Sequence, residues 1–100
     1  MEKGIIFTAR EEKLLIGFAL LTKLEKITSF SGTVEDVIVD ENYRGKKIGQ
    51  HLMENLLNKA QELKMEYLDL TSQDKRVAAQ NLYKKIGFEK RDTNVFRKLF

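Results

Sequence analysis

The sequence predicts a mixed α/β fold in which a mostly antiparallel sheet, with a central pair of parallel strands, is flanked by helices. Short apolar stretches alternate with two segments whose apolar residues recur at helical spacing. Two steps from strand to helix, over residues 33–64 and 67–86, set neighbouring strands parallel. One hundred residues suffice for one hydrophobic core and not for two, so we expect a single domain over residues 1–100.

The amino-terminal half predicts three strands. Ile5–Ala9 is a short strand that the charged turn Glu11–Lys13 joins to the apolar run Leu14–Leu21, so the two strands form a hairpin. The polar segment Lys23–Ser31 ends in a Ser-Gly turn signal. The β-branched stretch Thr33–Val39 follows it, and we expect this stretch to be the central strand.

The second half predicts two helices. Apolar residues recur every three or four positions from Ile48 onward, which indicates a helix to about Lys64. Tyr67–Leu70 is a further strand candidate. A second helical pattern covers Lys75–Ile86, and Gly87 supplies the left-handed residue that ends it.

A hairpin and a dimer contact are predicted at the carboxyl end. Phe88–Arg91 and Val95–Leu99 form two strands of the hairpin around a polar turn. The side chains of Phe96, Leu99 and Phe100 leave apolar surface without an evident cover at the end of a short chain. We therefore expect a homodimer.

Composition excludes several kinds of chemistry. The chain has no cysteine and one histidine, which excludes disulfides, thiol nucleophiles and multi-histidine metal sites, and we expect no metal. No apolar run approaches the roughly 20 residues that a membrane helix needs. The first residues do not have the pattern of a secretion signal. We expect no membrane association and a cytoplasmic location.

The charge balance argues against nucleic acid as the main partner. The net charge is +3, and the basic residues are interspersed with acids instead of forming a stripe. A weaker alternative is a nucleic-acid contact through the basic residues of a central loop and the carboxyl end, namely Arg44, Lys46, Lys47, Lys90, Arg91, Arg97 and Lys98.

The strongest functional signal is the loop between the central strand and the first helix, Arg44-Gly45-Lys46-Lys47-Ile48-Gly49. A helix start presents unpaired backbone N–H groups and the positive end of the helix dipole. Three cations surround the same point, and glycine lets a ligand approach the backbone closely. A phosphate group is the expected ligand.

Two motifs together resemble one enzyme family. The loop resembles the acetyl-CoA pyrophosphate loop of the Gcn5-related N-acetyltransferases (GNAT). The segment from Ala79 to Glu89, a helix ending in a tyrosine followed by Gly-Phe, looks like the second signature of that family. The resemblance covers about Leu14–Phe100 and has the two motifs in the family's order. It implies an N-acetyltransferase that uses acetyl-CoA as co-substrate and acts on a small-molecule or protein amine.

The resemblance also implies the residues that bind acetyl-CoA. Its pyrophosphate would be bound by the loop and the start of the helix, and its pantetheine arm would lie along the central strand, which splays from its neighbour in the family. Asn81 could hydrogen-bond the arm. The implied residues of the arm and of the loop are Val37, Ile38, Val39, Arg44, Gly45, Lys46, Lys47, Ile48, Gly49 and Gln50.

Acids and a tyrosine are the candidates for catalysis. Glu35 and Asp36 are the only acids inside the central strand, and strict alternation would point them to opposite faces. Either could be the general base, and we favour Glu35, while Asp69 is a lesser candidate. Tyr83 stands where the family's general acid usually lies. With no cysteine for a covalent route, we expect direct attack by the amine in a ternary complex.

Two departures from the family pattern bear on the prediction. Lys47 stands where a second small residue, most often glycine, is usual. The chain also starts near what would be the family's second strand, before which relatives have a strand and two helices that form one wall of the acceptor cleft. A minimal enzyme, a cleft completed by a partner, a longer chain and a module that binds coenzyme A without turnover remain alternatives.

Overall fold

The computed structural model describes residues 4–72 and 75–100, which form a four-stranded sheet and two helices. A short 3-10 turn, Glu41–Tyr43, lies between the third strand and the first helix. The strands are β1 (Gly4–Glu11), β2 (Leu14–Glu25), β3 (Phe30–Val39) and β4 (Leu68–Leu70), and the helices are α1 (Ile48–Glu62) and α2 (Val77–Lys85).

The predicted fold class is confirmed. The strand order is β1-β2-β3-β4; β1, β2 and β3 are antiparallel, and β4 is parallel to β3. The parallel pair arises because α1 carries the chain back to the start of β3 before β4 begins. Within the described ranges, neither helix combines the length and the apolar composition needed to cross a bilayer.

The first hairpin is confirmed, but the predicted turn at Ser31-Gly32 is wrong. Glu12 turns the chain between β1 and β2 with a φ of 55°. The next reversal lies at residues 26–29, where the N–H of Lys26 donates to the carbonyl of Ser29 at 2.8 Å. Ser31 and Gly32 instead lie inside β3. Gly32 serves close packing there, since a Cβ added at this position would lie 2.8 Å from Leu21 Cδ1.

The core lies between α1 and one face of the sheet. Leu52, Met53, Leu56 and Ala60 follow the helical spacing of the sequence and are buried against β2 and β3, where Leu21 is fully buried. Residues near the end of α2 extend the same cluster. This packing fixes the start of α1 relative to the end of β3.

The other face of the sheet is much less covered. Side chains alternate along each strand, so Ile6 of β1 lies opposite the core-facing Ile5 and Phe7. Ile6 is 66% exposed, and Ile38 at the far end of β3 is 50% exposed. The described chain therefore shields its sheet mainly on the α1 side.

Both predicted helices are present, with ends displaced by one or two residues. The last helical residue of α1 is Glu62, and a reversal follows in which Lys64 takes a φ of 63°. The helical residues of α2 begin at Val77, two residues later than predicted. Gly87 takes a φ of +107°, which confirms its predicted role as the left-handed residue after the helix.

The predicted hairpin of Phe88–Arg91 and Val95–Leu99 is wrong, since residues 88–100 contain no strand. Only Phe88 of this segment packs against the core. The apolar residues further on come as adjacent pairs at 95–96 and 99–100, and adjacent residues of a strand point to opposite faces. Such a pattern does not give a two-stranded hairpin one apolar face, and an isolated hairpin is marginally stable.

Close packing at Gly32 predicts a large stability difference between two alanine substitutions. A Cβ at Gly32 would lie 2.8–3.0 Å from Leu21, Leu68 and Met65, whereas one at Gly49 would lie 3.8 Å from Val39. Overpacking of this kind costs about 1–3 kcal/mol, so we expect Gly32→Ala to lower the free energy of unfolding in urea by that amount. Gly49→Ala is the control and should leave stability unchanged or raise it, because alanine favours a helix. Equal effects of the two substitutions would contradict the packing argument.

Candidate active site

A cleft opens because β3 continues after its pairing with β4 has ended. Gly32, Thr33 and Val34 are the three residues of β3 that pair with β4. Residues 35–39 still belong to β3, and Ile38 and Val39 pair with β2 on the other side. Among the described residues, no strand pairs with residues 35–39 on the β4 side. The backbone groups that point to this side can therefore bind an extended ligand as a further strand would.

A β-bulge in β3 places both candidate acids at the cleft. Asp36 and Val37 together lie opposite the single residue Ala19 of β2, and Asp36 takes a φ of 53°. The extra residue lets Val34 and Val37 both face the core. Glu35 and Asp36 both line the cleft, and the bulge interrupts the strict alternation from which their opposite orientation was predicted.

The cleft has a volume of about 610 Å³ and lies between the open edge of β3 and α2. Tyr83 of α2 and Arg76, which immediately precedes α2, form the wall opposite the two acids. Its lining consists of the β3 edge, the end of β4 and these two residues: Thr33, Val34, Glu35, Asp36, Val37, Ile38, Leu70, Thr71, Arg76 and Tyr83. Two carboxylates, one guanidinium and one phenol thus meet in one cleft.

Glu35 is held by a side chain from the neighbouring strand. The hydroxyl of Thr22 on β2 donates to Glu35 Oε2 at 3.0 Å. The other carboxylate oxygen, Oε1, accepts no hydrogen bond from the described residues. Glu35 therefore has one oxygen that is fixed to the sheet and one that can accept a proton or a hydrogen bond in the cleft.

Tyr83 is half-buried, and its ring is fixed by Phe88. The two ring centroids lie 6.1 Å apart at an interplanar angle of 64°, an edge-to-face contact. Both rings pack against the core cluster, and Tyr83 also reaches the cleft. Tyr83 therefore packs against the core and also lines the cleft.

The remaining predicted residues lie outside the cleft. Asn81 is exposed on α2 and does not line it, whereas Arg76 does. Asp69 lines a separate groove on the outer side of β4. His51, the single histidine of the chain, is exposed on α1.

The loop between β3 and α1 leaves the helix start open. Gly45 takes a φ of +83°, and Lys47 is the N-cap of α1 with a φ of 62°. The Lys47 side chain makes no capping hydrogen bond, and the first turn of α1 contains no acid. The N–H groups of residues 48–50 therefore lie at a helix start without side-chain caps, with the positive end of the dipole directed at the loop.

Room beside the loop fits the approach of a ligand. Nothing in the described chain lies within 4 Å of a Cβ built at Gly45, and a Cβ at Gly49 would make an ordinary contact of 3.8 Å. The left-handed backbone explains glycine at position 45. Packing within the described chain does not require glycine at position 49, and its missing side chain leaves space beside the helix start.

Tyr43 is a residue that the sequence analysis missed. Lys46 Nζ lies 5.2 Å from the centroid of the Tyr43 ring, a cation–π contact. The hydroxyl of Tyr43 hydrogen-bonds to Glu11, which raises the pKa of Tyr43 above its ordinary value; partial burial and the charges of Glu11 and Asp40 add to the shift. Tyr43 thus connects the β1–β2 turn to the loop.

A local sequence signal could have located this turn. The side chain of Asp40 accepts from the N–H of Asn42 at 2.9 Å, and the carbonyl of Asp40 accepts from the N–H of Tyr43 at 2.9 Å. Aspartate followed by asparagine two residues later is typical of a turn in which the side chain caps the backbone. The signal predicts the turn but not the partner of Tyr43, since Glu11 is distant in sequence.

The fold and the site define a mixed α/β protein with an open strand edge next to a basic, uncapped helix start. The model of the Acetyltransferase (GNAT) family matches residues 1–88. The chain therefore belongs to this family.

Known proteins show the same relationship. The chain is 32% identical over 82 residues to the N-alpha-acetyltransferase RimI of Mycobacterium tuberculosis, covering 82% of this chain and 50% of RimI. Glucosamine-6-phosphate N-acetyltransferase of Arabidopsis thaliana superposes with a TM-score of 0.85 at 20% identity, covering 98% of this chain and 68% of that one.

A third protein has been solved with a ligand. AAC(6')-Iy, in complex with the bisubstrate analogue CoA-S-monomethyl-acetylneamine, superposes with a TM-score of 0.83 at 14% identity, covering 100% of this chain and 71% of that one. At such identities the two solved structures establish the fold alone. The chain spans 22–50% of the length of three curated relatives that it matches.

The contact between Tyr43 and Glu11 predicts a change in alkaline titration. The raised pKa means that folding favours the neutral phenol, so the contact stabilises the protein below the ordinary tyrosine pKa of about 10. This contribution is lost as the pH rises through the folded-state pKa. We expect Glu11→Gln to lower the pKa of Tyr43, measured by absorbance of the phenolate near 295 nm.

Two variants complete this test. Glu12→Gln changes the same charge in the same turn and should leave the titration curve in place, while Tyr43→Phe identifies which step belongs to Tyr43. An unchanged titration of Tyr43 in the Glu11→Gln variant would contradict the hydrogen bond.

Proposed function

We propose that this chain is an acetyl-CoA-dependent N-acetyltransferase that transfers the acetyl group to a primary amine by direct attack in a ternary complex. One observation carries the proposal: the unpaired edge of β3, residues 35–39, lies in the same strand–loop–helix unit as the uncapped, basic start of α1. Membership in an acetyltransferase family and the N-acetyltransferase relative support the same conclusion.

The two parts of the unit suit the two parts of coenzyme A. The pantetheine arm contains amides that can pair with the open edge at Val37–Val39 as a neighbouring strand would. The pyrophosphate fits the N–H groups of residues 48–50, with Arg44, Lys46 and Lys47 adding positive charge. A favourable charge–dipole contact contributes about 0.3–1 kcal/mol when exposed. Micromolar affinity corresponds to about 8 kcal/mol, so edge and loop must act together.

Glu35 is proposed as the general base. An alkyl ammonium group with a pKa near 10.4 costs about 4.6 kcal/mol to deprotonate at pH 7, and only the neutral amine has a lone pair for attack. Glu35 can accept this proton on Oε1, directly or through a water, while Thr22 holds Oε2. Asp36 is the alternative base, since the bulge places it in the same cleft.

Tyr83 is proposed as the general acid. In the transfer the N–C bond forms, the C–S bond breaks, and the sulfur leaves as a thiolate whose pKa near 8.5 needs modest assistance. The Tyr83 hydroxyl can donate a hydrogen bond or its proton to that sulfur, and the contact with Phe88 limits the motion of its ring. The proton that leaves the amine goes to the carboxylate across the cleft.

The acceptor is proposed only as a class, a primary amine of a small molecule or of a protein. Glu35 and Asp36 favour a cationic acceptor, while Arg76 sets a positive charge on the opposite wall. An acceptor with one ammonium group near the acids and an anionic or neutral remainder near Arg76 fits this distribution of charge.

A second candidate function is a module that binds coenzyme A without turnover. The chain spans half or less of its curated relatives, and the sheet face opposite α1 has exposed Ile6 and Ile38. An acceptor site without a wall on that side would still leave the loop and the β3 edge able to bind the cofactor. The difference between the two functions is therefore turnover and not binding.

Calorimetry and thiol release separate the two functions. We expect acetyl-CoA to bind with measurable heat and, with the right member of an amine panel, to release free thiol at a rate that depends on the amine. Binding without thiol release for every amine supports the module. Absence of binding would contradict the assignment of both the loop and the β3 edge.

Substitutions in the cleft test the proposed roles. General acid–base catalysis contributes typically 10²–10⁴-fold, so we expect Glu35→Gln and Tyr83→Phe each to lower kcat by about that factor while acetyl-CoA affinity stays within about threefold. Asp36→Asn should have a smaller effect if Glu35 is the base. Glu25→Gln, an exposed acid at the end of β2, is the control. An unchanged kcat in the Glu35→Gln variant, with a large loss in Asp36→Asn, would transfer the role to Asp36.

A further inference from the structure

Three side chains in a row, Glu11, Tyr43 and Lys46, join the end of β1 to the loop before α1. The carboxylate of Glu11 accepts a hydrogen bond from the Tyr43 hydroxyl. On the other side of the row, Lys46 Nζ lies 5.2 Å from the centroid of the Tyr43 ring. Tyr43 therefore contacts an anion through its hydroxyl and a cation through its ring.

The backbone of Tyr43 is fixed by the turn that follows β3. The N–H of Tyr43 donates to the carbonyl of Asp40 at 2.9 Å, and the N–H of Asp40 donates to the carbonyl of Ile16 on β2 at 2.7 Å. The side chain of Asp40 also accepts from the N–H of Asn42 within the turn. The residue is thus tied to the sheet twice, through its backbone at β2 and through its hydroxyl at the end of β1.

Tyr43 does not belong to the hydrophobic core. The described residues that pack against the core cluster include Tyr83 but not Tyr43. Tyr43 is partly exposed, and its ring lies beside the loop. Its contacts with Glu11 and Lys46 are therefore what this side chain contributes around the loop.

An aromatic ring can hold an ammonium group without neutralising it. The ring face attracts the cation through its quadrupole, whereas a carboxylate would cancel the charge and take up N–H donors. Within the described ranges, Lys46 forms no ion pair. The carboxylate of Glu11 accepts from the Tyr43 hydroxyl instead. Lys46 consequently keeps its full charge and its donors for a ligand at the loop.

We propose that Tyr43 is a positioning residue for acetyl-CoA: its ring holds the Lys46 ammonium at the loop, ready for the pyrophosphate, while Glu11 holds the ring. This inference rests on the proposed function, because it assigns a role within the same loop. A flexible lysine loses rotamer freedom when it binds an ion, and a lysine that is already held loses less. The first hairpin therefore contributes to cofactor affinity through Tyr43, although Glu11 is distant from the loop in sequence.

The adjacent Lys47 provides an internal comparison. It carries the same charge in the same loop and is also exposed. Its side chain makes no capping hydrogen bond, and in the described part of the chain it lies over no aromatic ring. If the proposal holds, Tyr43 and Lys46 act as one unit toward the cofactor, whereas Tyr43 and Lys47 act independently.

A double-mutant cycle measured by calorimetry with acetyl-CoA tests this difference. A cation–π contact at an exposed site changes an equilibrium constant about two- to fivefold. We expect Tyr43→Leu to raise the Kd of acetyl-CoA by that factor, Lys46→Ala to raise it at least as much, and the double variant to match Lys46→Ala alone. Tyr43→Leu combined with Lys47→Ala should instead show the product of the two single effects. A simple product for the Tyr43 and Lys46 pair as well would overturn the proposal.

Conservative variants separate the ring from the hydroxyl. Tyr43→Phe retains the ring, so it should bind acetyl-CoA more tightly than Tyr43→Leu does. Equal affinities of these two variants would overturn the role of the ring.

A matched pair in the β1–β2 turn tests the role of Glu11. Glu11→Ala and Glu12→Ala each remove one negative charge from this turn, so the general effect on an anionic ligand is shared. Only Glu11→Ala removes the acceptor of the Tyr43 hydroxyl, and it should bind acetyl-CoA more weakly than Glu12→Ala. Equal affinities of this pair would contradict the role of Glu11.

Kinetics distinguish positioning of the cofactor from a general loss of structure. With an amine acceptor that supports thiol release, Tyr43→Leu should raise the KM for acetyl-CoA and change kcat much less. A fall in kcat with an unchanged KM would overturn the proposal. Absence of acetyl-CoA binding to the wild type would remove the proposed function and this inference together. Wild-type binding that Lys46→Ala weakens and Tyr43→Leu does not would leave the function standing and overturn the inference alone.

Discussion

The end of the pairing between β3 and β4 is the constraint on which the rest of the molecule depends. β4 pairs over Gly32–Val34, while β3 continues to Val39. β3 is paired with β2 along most of its length but with β4 only near its start. The N–H and C=O groups of its second half that point to the β4 side are therefore left available. The cleft, its volume and the position of Tyr83 across from the acids all follow from this mismatch in length. A longer β4 would close the site with the protein's own backbone.

The β-bulge and the packing of α1 convert this open edge into a site with defined directions. The bulge allows Val34 and Val37 to share the core face, and the two residues between them, Glu35 and Asp36, both line the cleft. Leu52, Met53 and Leu56 hold α1 against the same sheet. Consequently, the free N–H groups at the start of α1 are held at a fixed position relative to the unpaired backbone groups of β3.

The sequence predicted those elements that depend on local periodicity. The two helices, the first hairpin and the parallel pair follow from apolar spacing and from the connection length, and they are confirmed. The turn at Ser31-Gly32 was mistaken because Gly32 serves a close packing contact with Leu21, which only the tertiary structure shows. The bulge at Asp36 escaped the alternation rule because a bulge inserts one residue into that alternation. The partnership of Tyr43 with Glu11 joins residues 32 positions apart, and no local pattern predicts it.

The two outer edges of the sheet, β1 and β4, differ in their protection against further pairing. β1 has a register irregularity between Ala9 and Arg10 and ends in charged residues, features that protect an edge strand from further pairing. β4 has only three residues and an open groove beside it. Its inner neighbour, β3, is unpaired where the cofactor is proposed to bind. β4 therefore supports from outside the strand whose free end defines the cleft, so that the geometry of the site depends on the three residues Leu68–Leu70.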